Sequence, residues 1–178
     1  MKKVTVITSS LRAKSTSKTL MNEMVKGLKE HHEVKIIDIS RMNLKYCIGC
    51  MTCQDTGKCV LNDDVKNVIE DVNSADTLIF VTPIYYYSVS GQLKTFLDRM
   101  NPLYPREDRK FKEVYALFTC ADDDPKATEK PTKAIEGWVE CFDGVEYKGY
   151  YDGLALNDVG DITEKDLKGA YEFGKSIK

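Results

Sequence analysis

The sequence predicts an α/β protein built on a doubly wound sheet of five parallel strands. Short apolar runs, each long enough for one buried strand, alternate along the chain with segments whose apolar residues recur every three or four positions. The chain has 178 residues, which suits a single domain spanning 1–178. Its composition, 42% hydrophobic and 30% charged, indicates a globular chain with a substantial core.

The apolar runs are the predicted strands. Strands buried on both faces of a parallel sheet read as continuous apolar runs, and the first four segments fit this pattern well. The fifth segment is a weaker match. The five predicted strands span 4–7, 34–39, 77–81, 114–118 and 150–156.

Five helices are predicted between and after these strands. The fourth begins at Asp124, an N-cap residue followed by Pro125 at the first helical position. The fifth begins at Thr163, where Asp166 three residues later resembles a capping box. The first three show apolar stripes at helical spacing, over 20–28, 65–72 and 93–100.

Charge and hydropathy exclude several classes of protein. The 26 basic residues are intermingled with 28 acidic ones for a net charge of -2, so no basic surface is available for a nucleic acid. No apolar run reaches membrane-spanning length, and the first apolar run is too short for a secretory signal. The sequence therefore predicts a cytoplasmic protein with neither a nucleic-acid nor a membrane partner.

The loops that follow the strands are the predicted location of the functional site. In an open doubly wound sheet, ligands bind at the carboxyl ends of the strands. His31 and His32 precede the second strand, so they lie at the opposite edge, and we interpret them as solvated residues at a helix end. The sequence thus offers no catalytic histidine. The four candidate loops are 8–17, 40–62, 82–91 and 119–125.

The first loop is rich in groups that bind phosphate. Hydroxyls and a guanidinium, among them Ser10, Arg12 and Ser15, stand just before the N-terminus of the first helix. The loop has neither the glycine pattern of a nucleoside triphosphate site nor that of a classical dinucleotide site. A single phosphate monoester fits better, and a polar N-capping loop is the alternative.

The third loop contains three consecutive tyrosines, Tyr85, Tyr86 and Tyr87. They cannot all be buried after a strand, and exposed aromatic surface at the ligand edge indicates a flat aromatic ligand, a partner subunit or both. The alternative is that the tyrosines only cover the end of the sheet.

Four of the six cysteines lie within thirteen positions. In a reducing compartment such a group indicates thiolate chemistry or metal ligation before disulfides. The spacing suits either one zinc ion or the four irons of a cubane cluster, and a metal-free loop is a third reading. Gly49 and Gly57 would let this loop fold tightly. The motif is Cys47-x2-Cys50-x2-Cys53-x5-Cys59.

The two remaining cysteines have simpler interpretations. Cys120 follows the fourth strand at the ligand edge, where it either contacts a ligand or is an inert half-buried thiol. Cys141 lies in an apolar helical segment and is predicted to be a small core residue.

These residues resemble a known family. The segment 10–17 is similar to the phosphate loop of the flavodoxin-fold NADPH-dependent FMN reductases, usually G-S-x-R-x-x-S-x-T, with Ser9 in place of the glycine and Ser17 in place of the threonine. Residues 82–99 are similar to the flavin-ring loop and following helix of that family. The four-cysteine motif is similar to that of the iron-sulfur flavoproteins, which bind a [4Fe-4S] cluster beside FMN.

The resemblance implies a flavodoxin-like strand order of 2-1-3-4-5 and a specific set of site residues. The FMN phosphate would be held by hydroxyls, a guanidinium and nearby amides, and the ring by aromatic and apolar groups. The cysteine motif would hold the cluster, which we favour over zinc and over a metal-free loop. The phosphate residues are Ser10, Arg12, Ser15, Thr16 and Ser17; the ring residues are Pro83, Ile84, Tyr85 and Tyr86, with Thr119 and Cys120 closing the other side; the metal ligands are Cys47, Cys50, Cys53 and Cys59.

The predicted function is an FMN-dependent oxidoreductase that takes electrons from NAD(P)H or a redox carrier protein and passes them to an acceptor, with a [4Fe-4S] cluster on the route. One alternative is an FMN-only NAD(P)H-dependent reductase of quinones, azo compounds or flavin. Others are a non-enzymatic electron carrier and a zinc-stapled binding module. Exposed aromatics predict a homodimer or homotetramer. The loop 101–110, with Arg106, Arg109 and Lys110, is a candidate position for the nucleotide tail.

Overall fold

The computed structural model describes all residues, 1–178, and shows alternating strands and helices. The strands are Lys3–Thr8 (β1), Glu33–Asp38 (β2), Thr77–Tyr85 (β3), Ser88–Val89 (β4), Glu113–Thr119 (β5) and Glu146–Gly153 (β6). The α-helices are Thr16–Leu28 (α1), Thr52–Thr56 (α2), Val65–Asn73 (α3), Gly91–Asp98 (α4), Glu129–Val139 (α5) and Glu164–Ser176 (α6).

The sheet confirms the predicted fold class and strand order. Its five long strands are parallel in the order β2-β1-β3-β5-β6, which is the flavodoxin-like order once the short β4 is left out of the count. Two-residue β4, which was not predicted, pairs antiparallel with the end of β3. The register sets Thr8 beside Val81 and Pro83 beside Thr119, so the strands end together at one edge.

Helices cover both faces of the sheet, and successive residues of each central strand supply the two cores. In β3, Leu78 and Phe80 pack in the core beneath α3, α4 and α5. Ile79 and Val81 point the other way, into the core beneath α1 and α6. This double burial is why the central strands read as unbroken apolar runs.

Two predicted strand boundaries are wrong. The last strand, predicted at 150–156, occupies Glu146–Gly153. It is an edge strand with alternating exposed and half-buried residues, so it gives no continuous apolar signal. The third strand runs to Tyr85, four residues beyond its predicted end, because the ladder with β5 continues through Pro83.

The predicted helix starts are mostly confirmed. Thr163 and Asp166 form a reciprocal capping box at the start of α6. Asp124 accepts a hydrogen bond from the Lys126 amide, as an N-cap should. The four residues after Asp124 form a 3₁₀ turn, however, and the α-helix starts only at Glu129.

Helices α1 and α6 touch through their backbones. A Cβ atom placed on Gly174 would lie 2.0 Å from the Met24 carbonyl oxygen, and one on Gly27 would lie 2.2 Å from the Tyr171 carbonyl oxygen. Both distances are far below van der Waals contact. The first candidate loop leads directly into α1. The contact between α1 and α6 therefore fixes the helix at the end of that loop.

The interpretation of both histidines as solvated is wrong for one of them. His31 is exposed, but His32 is buried and its Nε2 atom lies 2.9 Å from the carbonyl oxygen of Ile177. The chain end after α6 returns over the start of β2 and covers this ring. Both histidines precede β2, as predicted, so they lie at the amino end of that strand, opposite the carboxyl edge. No helix combines the length and the apolar character that crossing a bilayer would require.

The α1–α6 contact predicts the effect of one methyl group. Gly174→Ala should lower the free energy of unfolding by about 2 kcal/mol or more, because the added Cβ would have to separate two backbones. Gly137→Ala is a matched control, since that exposed glycine of α5 has no atom within 4 Å of its Cβ position. The control should be stabilised by up to about 1 kcal/mol. Urea unfolding of the two variants measures both effects, and equal stability of the pair would contradict this account.

Candidate functional site

A pocket opens at the carboxyl edge of the sheet, between the loops that follow β1, β3, β5 and β6. Most of the predicted ligand residues meet here. The lining residues are Ser10, Arg12, Thr16, Ser17, Pro83, Ile84, Tyr85, Thr119, Cys120, Ala121, Leu156 and Asn157. Of the predicted flavin residues, Ser15 and Tyr86 lie outside this lining.

The first loop ends in a network of buried hydroxyls. Ser15 is the N-cap of α1: its Oγ accepts from the Lys18 amide at 3.1 Å and donates to the Ser10 Oγ at 2.8 Å. The Ser17 Oγ and Thr119 Oγ1 atoms are 2.6 Å apart and join α1 to the end of β5. This network fixes the loop on the sheet.

The backbone of the same loop presents unused donors. From Ser10 to Ser17, no backbone amide donates a hydrogen bond to another group of the chain. These amides include the first turn of α1, where the helix dipole favours negative charge. The loop therefore fits an anion such as a phosphate monoester.

Ser9 occupies the position of the family's glycine without strain. It is not among the residues with positive φ, and its amide donates to the Val81 carbonyl at 3.1 Å. Its hydroxyl accepts from the Ser90 Oγ at 2.8 Å, which ties the first loop to the start of α4. Glycine's conformational freedom is thus not required at this position.

Arg12 bridges the mouth of the pocket. Its guanidinium donates to the Asn157 carbonyl at 2.6 Å and lies 3.5 Å from the Asp158 carboxylate. Leu156 and Asn157, which line the pocket, were missed by the sequence analysis because β6 was predicted to continue to residue 156. With the strand end placed at Gly153, the rule that ligands bind after strand ends would have found them.

The three tyrosines are all exposed, as predicted, but only one lines the pocket. Tyr85 ends β3, so Pro83, Ile84 and Tyr85 belong to a strand and not to a loop as predicted. Tyr86 and Tyr87 form the turn to β4 with φ values of 50° and 58°, a geometry that favours asparagine and glycine. Tyr86 is fully exposed.

The loop after β5 supports this turn. The Tyr87 hydroxyl donates to the Asp122 carboxylate at 2.8 Å, and Asp122 is half-buried. Hydrogen bonds from the Asp124 amide and from Tyr87 lower the pKa of the Asp122 carboxyl. Cys120 is buried, burial raises the pKa of its thiol, and its Sγ donates to the Asp122 carbonyl at 3.3 Å. A protonated thiol therefore faces the pocket.

The four cysteines of the motif line one small cavity between the cysteine loop (residues 45–63) and the end of α4. Cys53 is buried, Cys59 is half-buried, and the other two are exposed. The tight turns expected at Gly49 and Gly57 are present, with φ values of 65° and 67°. The full lining is Cys47, Ile48, Cys50, Met51, Cys53, Cys59, Val60, Leu61, Asp98, Arg99, Asn101 and Pro102.

The thiols of this cavity surround a volume and do not converge on a point. No three His, Cys, Asp or Glu side chains come close enough together to hold a single metal ion. A tetrahedral zinc ion needs its ligands gathered at one centre. A four-iron cluster needs less convergence, because each thiolate binds a different iron. Four cysteines that line one cavity are a donor set of the kind that a four-iron cluster uses.

A buried ion pair closes the base of the cysteine loop. Arg99, 1% exposed, donates to both carboxylate oxygens of Asp63, at 3.0 Å for Nη2 to Oδ1. Arg99 also donates to the Lys45 carbonyl at 2.7 Å, and the Lys45 amide donates to Asp63 at 2.8 Å. No role was predicted for Arg99 from the sequence. A charged residue within the apolar stripe of α4 was the available signal.

One further prediction is corrected at this side of the molecule, and a second stays a prediction. Cys141 is exposed and not a core residue: it follows the end of α5 and lines a groove together with Cys47 and Trp138. The loop 101–110 stays a predicted position for the nucleotide tail, and groups of this loop have partners within the chain. Arg106 pairs with Glu70 and Asp108, and the Lys110 amide donates to Asn73 at the end of α3, near the amino edge.

The ion pair at the loop base yields a stability prediction. Burial raises the pKa of the Asp63 carboxyl, but hydrogen bonds from Arg99 and the Lys45 amide outweigh it and hold this pKa below its usual 3.8. Asp63→Asn should lower the free energy of unfolding by about 3–5 kcal/mol at neutral pH, since it leaves Arg99 buried and unpaired. Asp98→Asn, which breaks the exposed pair with Lys94, is the control and should change little.

The same pair predicts a pH dependence. A carboxyl whose pKa is depressed by folding stabilises the native state above its unfolded pKa and loses that contribution as pH falls through its native pKa. The wild-type protein should therefore exceed Asp63→Asn in free energy of unfolding by the full amount at neutral pH. This difference should shrink as the pH falls below 3.8. A difference that grew toward acid pH would contradict the ion-pair account.

Comparison with known proteins identifies the family. The family model described as NADPH-dependent FMN reductase matches residues 2–132. An iron-sulfur flavoprotein of Archaeoglobus fulgidus is 28% identical over 99% of this chain and 79% of its own length. A Bacillus subtilis protein named as the NAD(P)H-dependent FMN-containing oxidoreductase YwqN is 29% identical over 90% of this chain and 88% of its own. Two further iron-sulfur flavoproteins match over about half of their own length.

A solved structure agrees with the fold. The NAD(P)H:quinone oxidoreductase of Methanothermobacter marburgensis superposes with a TM-score of 0.78 at 19% identity, over 99% of this chain and 96% of that one. The family model covers well over half of the residues, including the phosphate loop, the cysteine motif and the β3 turn. The chain belongs to the NADPH-dependent FMN reductase family.

Proposed function

We propose that this FMN-dependent NAD(P)H oxidoreductase passes electrons from its donor, a reduced nicotinamide or a redox carrier protein, to an acceptor through FMN and a [4Fe-4S] cluster. One observation carries the cluster part of the proposal: the four motif cysteines line a single cavity whose loop is closed by a buried ion pair. Residues 1–178 would act as one flavin-binding domain.

The first loop would hold the FMN phosphate. Ser10, Ser15, Thr16 and Ser17 are buried around it, and the amides of the loop have no partner within the chain. Arg12 would turn its guanidinium from the Asn157 carbonyl toward the phosphate. These groups are strong donors for a phosphate dianion.

The ends of β3 and β5 would hold the flavin ring. Pro83, Ile84 and Tyr85 are fixed by strand pairing, which gives the ring a rigid wall, and Thr119 with Cys120 forms the opposite side. Tyr86, exposed beside them, would flank the ring. Bound FMN would supply hydride acceptance and one- or two-electron donation. The protein's contribution is to position the ring, so no acid-base pair is required.

The cysteine loop would hold the cluster through Cys47, Cys50, Cys53 and Cys59. The supporting observations are the spread of the four thiols around one cavity and the name iron-sulfur flavoprotein carried by relatives. A four-iron cluster would supply one-electron transfer to this side of the protein.

The alternative is an FMN-only NAD(P)H reductase of quinones, azo compounds or flavin. The observation that favours it is that no three metal-binding side chains converge, with Cys47 and Cys50 exposed to solvent. In that case the motif would be a redox-active or structural loop.

A second copy of the chain would complete the flavin pocket. The three tyrosines at the pocket mouth expose a large aromatic surface, with Tyr86 wholly in solvent. Such surfaces are typical of interfaces. We therefore expect a homodimer or homotetramer, as light scattering would measure, in a protein that works in the cytoplasm.

One preparation tests the proposal. Protein purified without oxygen should contain FMN and about four irons and four sulfides per chain. Mixing with NADH or NADPH in a stopped-flow instrument should bleach the flavin absorbance. FMN without iron would favour the FMN-only alternative, and no bleaching on the seconds scale would leave a carrier protein as the donor. Absence of flavin would contradict the assignment of both ligand loops.

The phosphate assignment predicts the effect of one added charge. Ser15→Asp should weaken FMN binding by about 100-fold or more, because its carboxylate would stand beside the phosphate. Ser15→Asn is the matched control: asparagine caps a helix as well as aspartate does but carries no charge. Fluorescence titration of flavin-free protein measures both affinities. Riboflavin, which has no phosphate, should bind the two variants alike, and an equal loss for both flavins would contradict the assignment.

A further inference from the structure

Two side chains from the end of α4 direct N–H donors at two of the motif sulfurs. The Arg99 Nη2 atom donates to Cys59 Sγ at 3.5 Å. The Asn101 Nδ2 atom donates to Cys53 Sγ at 3.4 Å. Both residues also line the cysteine cavity. The two exposed cysteines, Cys47 and Cys50, receive no such donor from outside their loop.

Both donors are held in place by a second contact. The Arg99 guanidinium is buried and held by Asp63, and this ion pair fixes the direction of the Nη2 N–H that faces Cys59. The Asn101 Oδ1 atom accepts from Gln54 Nε2 at 3.0 Å, and Gln54 follows Cys53 in α2. The orientation of each donor is therefore built into the fold and does not depend on a bound group.

We propose that Arg99 and Asn101 are positioning residues that raise the reduction potential of the cluster, through N–H donation to Cys59 and Cys53. The inference rests on the cluster of the proposed function. One-electron reduction adds a negative charge, part of which resides on the ligand sulfurs. Donors fixed beside those sulfurs stabilise the reduced form more than the oxidised form, because charge-assisted hydrogen bonds strengthen with the charge of the acceptor.

The guanidinium adds a charge effect to its hydrogen bond. Asp63 neutralises Arg99 overall, but the Nη2 edge of the guanidinium faces Cys59 at hydrogen-bond distance in a buried environment, where electrostatic interactions are stronger than in water. The buried Cys53 and the half-buried Cys59 thus receive the stabilising donors, whereas the exposed Cys47 and Cys50 depend on solvent. Electron density in the reduced cluster should be drawn toward the α4 side.

Variants of Asn101 test the proposal with the fold intact. Asn101→Leu keeps the size of the side chain and removes the donor, and Asn101→Asp replaces the donor with a negative acceptor. Redox titration of the cluster should show the equilibrium constant for reduction lowered about tenfold in Asn101→Leu, which is about 59 mV for one electron. Asn101→Asp should lower it further. Asn67→Leu, at an exposed position of α3, is the control and should leave the potential unchanged.

A second variant keeps the test decisive if the first loses its cluster. Gln54→Leu leaves the Asn101 amide in place but removes the bond that orients it, so the potential should fall by a smaller factor. If iron-loaded Asn101→Leu has an unchanged or raised reduction potential, this inference alone is overturned. If only Gln54→Leu retains iron, an unchanged or raised potential in that variant has the same consequence. A wild-type protein that binds no iron when purified without oxygen overturns the cluster proposal and this inference together.

Discussion

Parallel pairing of the central strands is the constraint on which the candidate pocket at the carboxyl edge depends. Because β1, β3 and β5 run in the same direction and in fixed register, their carboxyl ends bring Thr8, Pro83 and Thr119 to one edge. A one-residue slip in any ladder would exchange the two cores and separate the first loop from the ends of β3 and β5. The backbone hydrogen bonds of the sheet therefore set the positions of the polar loops. Helices packed on both faces protect those hydrogen bonds.

The two candidate centres are anchored by different kinds of interaction. The first loop is joined to the sheet by buried hydroxyls, and the helix that follows it depends on van der Waals contact between backbones, since α1 is held against α6 at two glycines. The cysteine loop depends on electrostatics, through a carboxylate and a guanidinium that are almost wholly excluded from water. Steric contact tolerates pH and salt, whereas the ion pair requires an ionised carboxylate.

Sequence patterns predicted the structure correctly where one physical effect decides it, and failed where two effects compete. Doubly buried strands gave the sheet, and the capping chemistry of Thr163 gave the last helix start. The edge strand β6 was misplaced because burial on one side alternates and leaves no apolar run. Arg99 was overlooked because composition marks a charged residue as solvated, while its burial depends on Asp63, 36 positions away. His32 is buried for the same reason, since its partner Ile177 lies 145 positions away.

The closed base of the cysteine loop bears on the order of events during biogenesis. Lys45, Asp63 and Arg99 meet through groups that the polypeptide itself supplies, so the loop acquires its shape when the domain folds. Under the proposed function, iron and sulfide would be delivered to a loop that is already folded, with the two exposed cysteines accessible from solvent. If the proposed cluster is present, a chain that lost it to oxygen would keep the shape of this loop, and reloading would not require passage through an unfolded state.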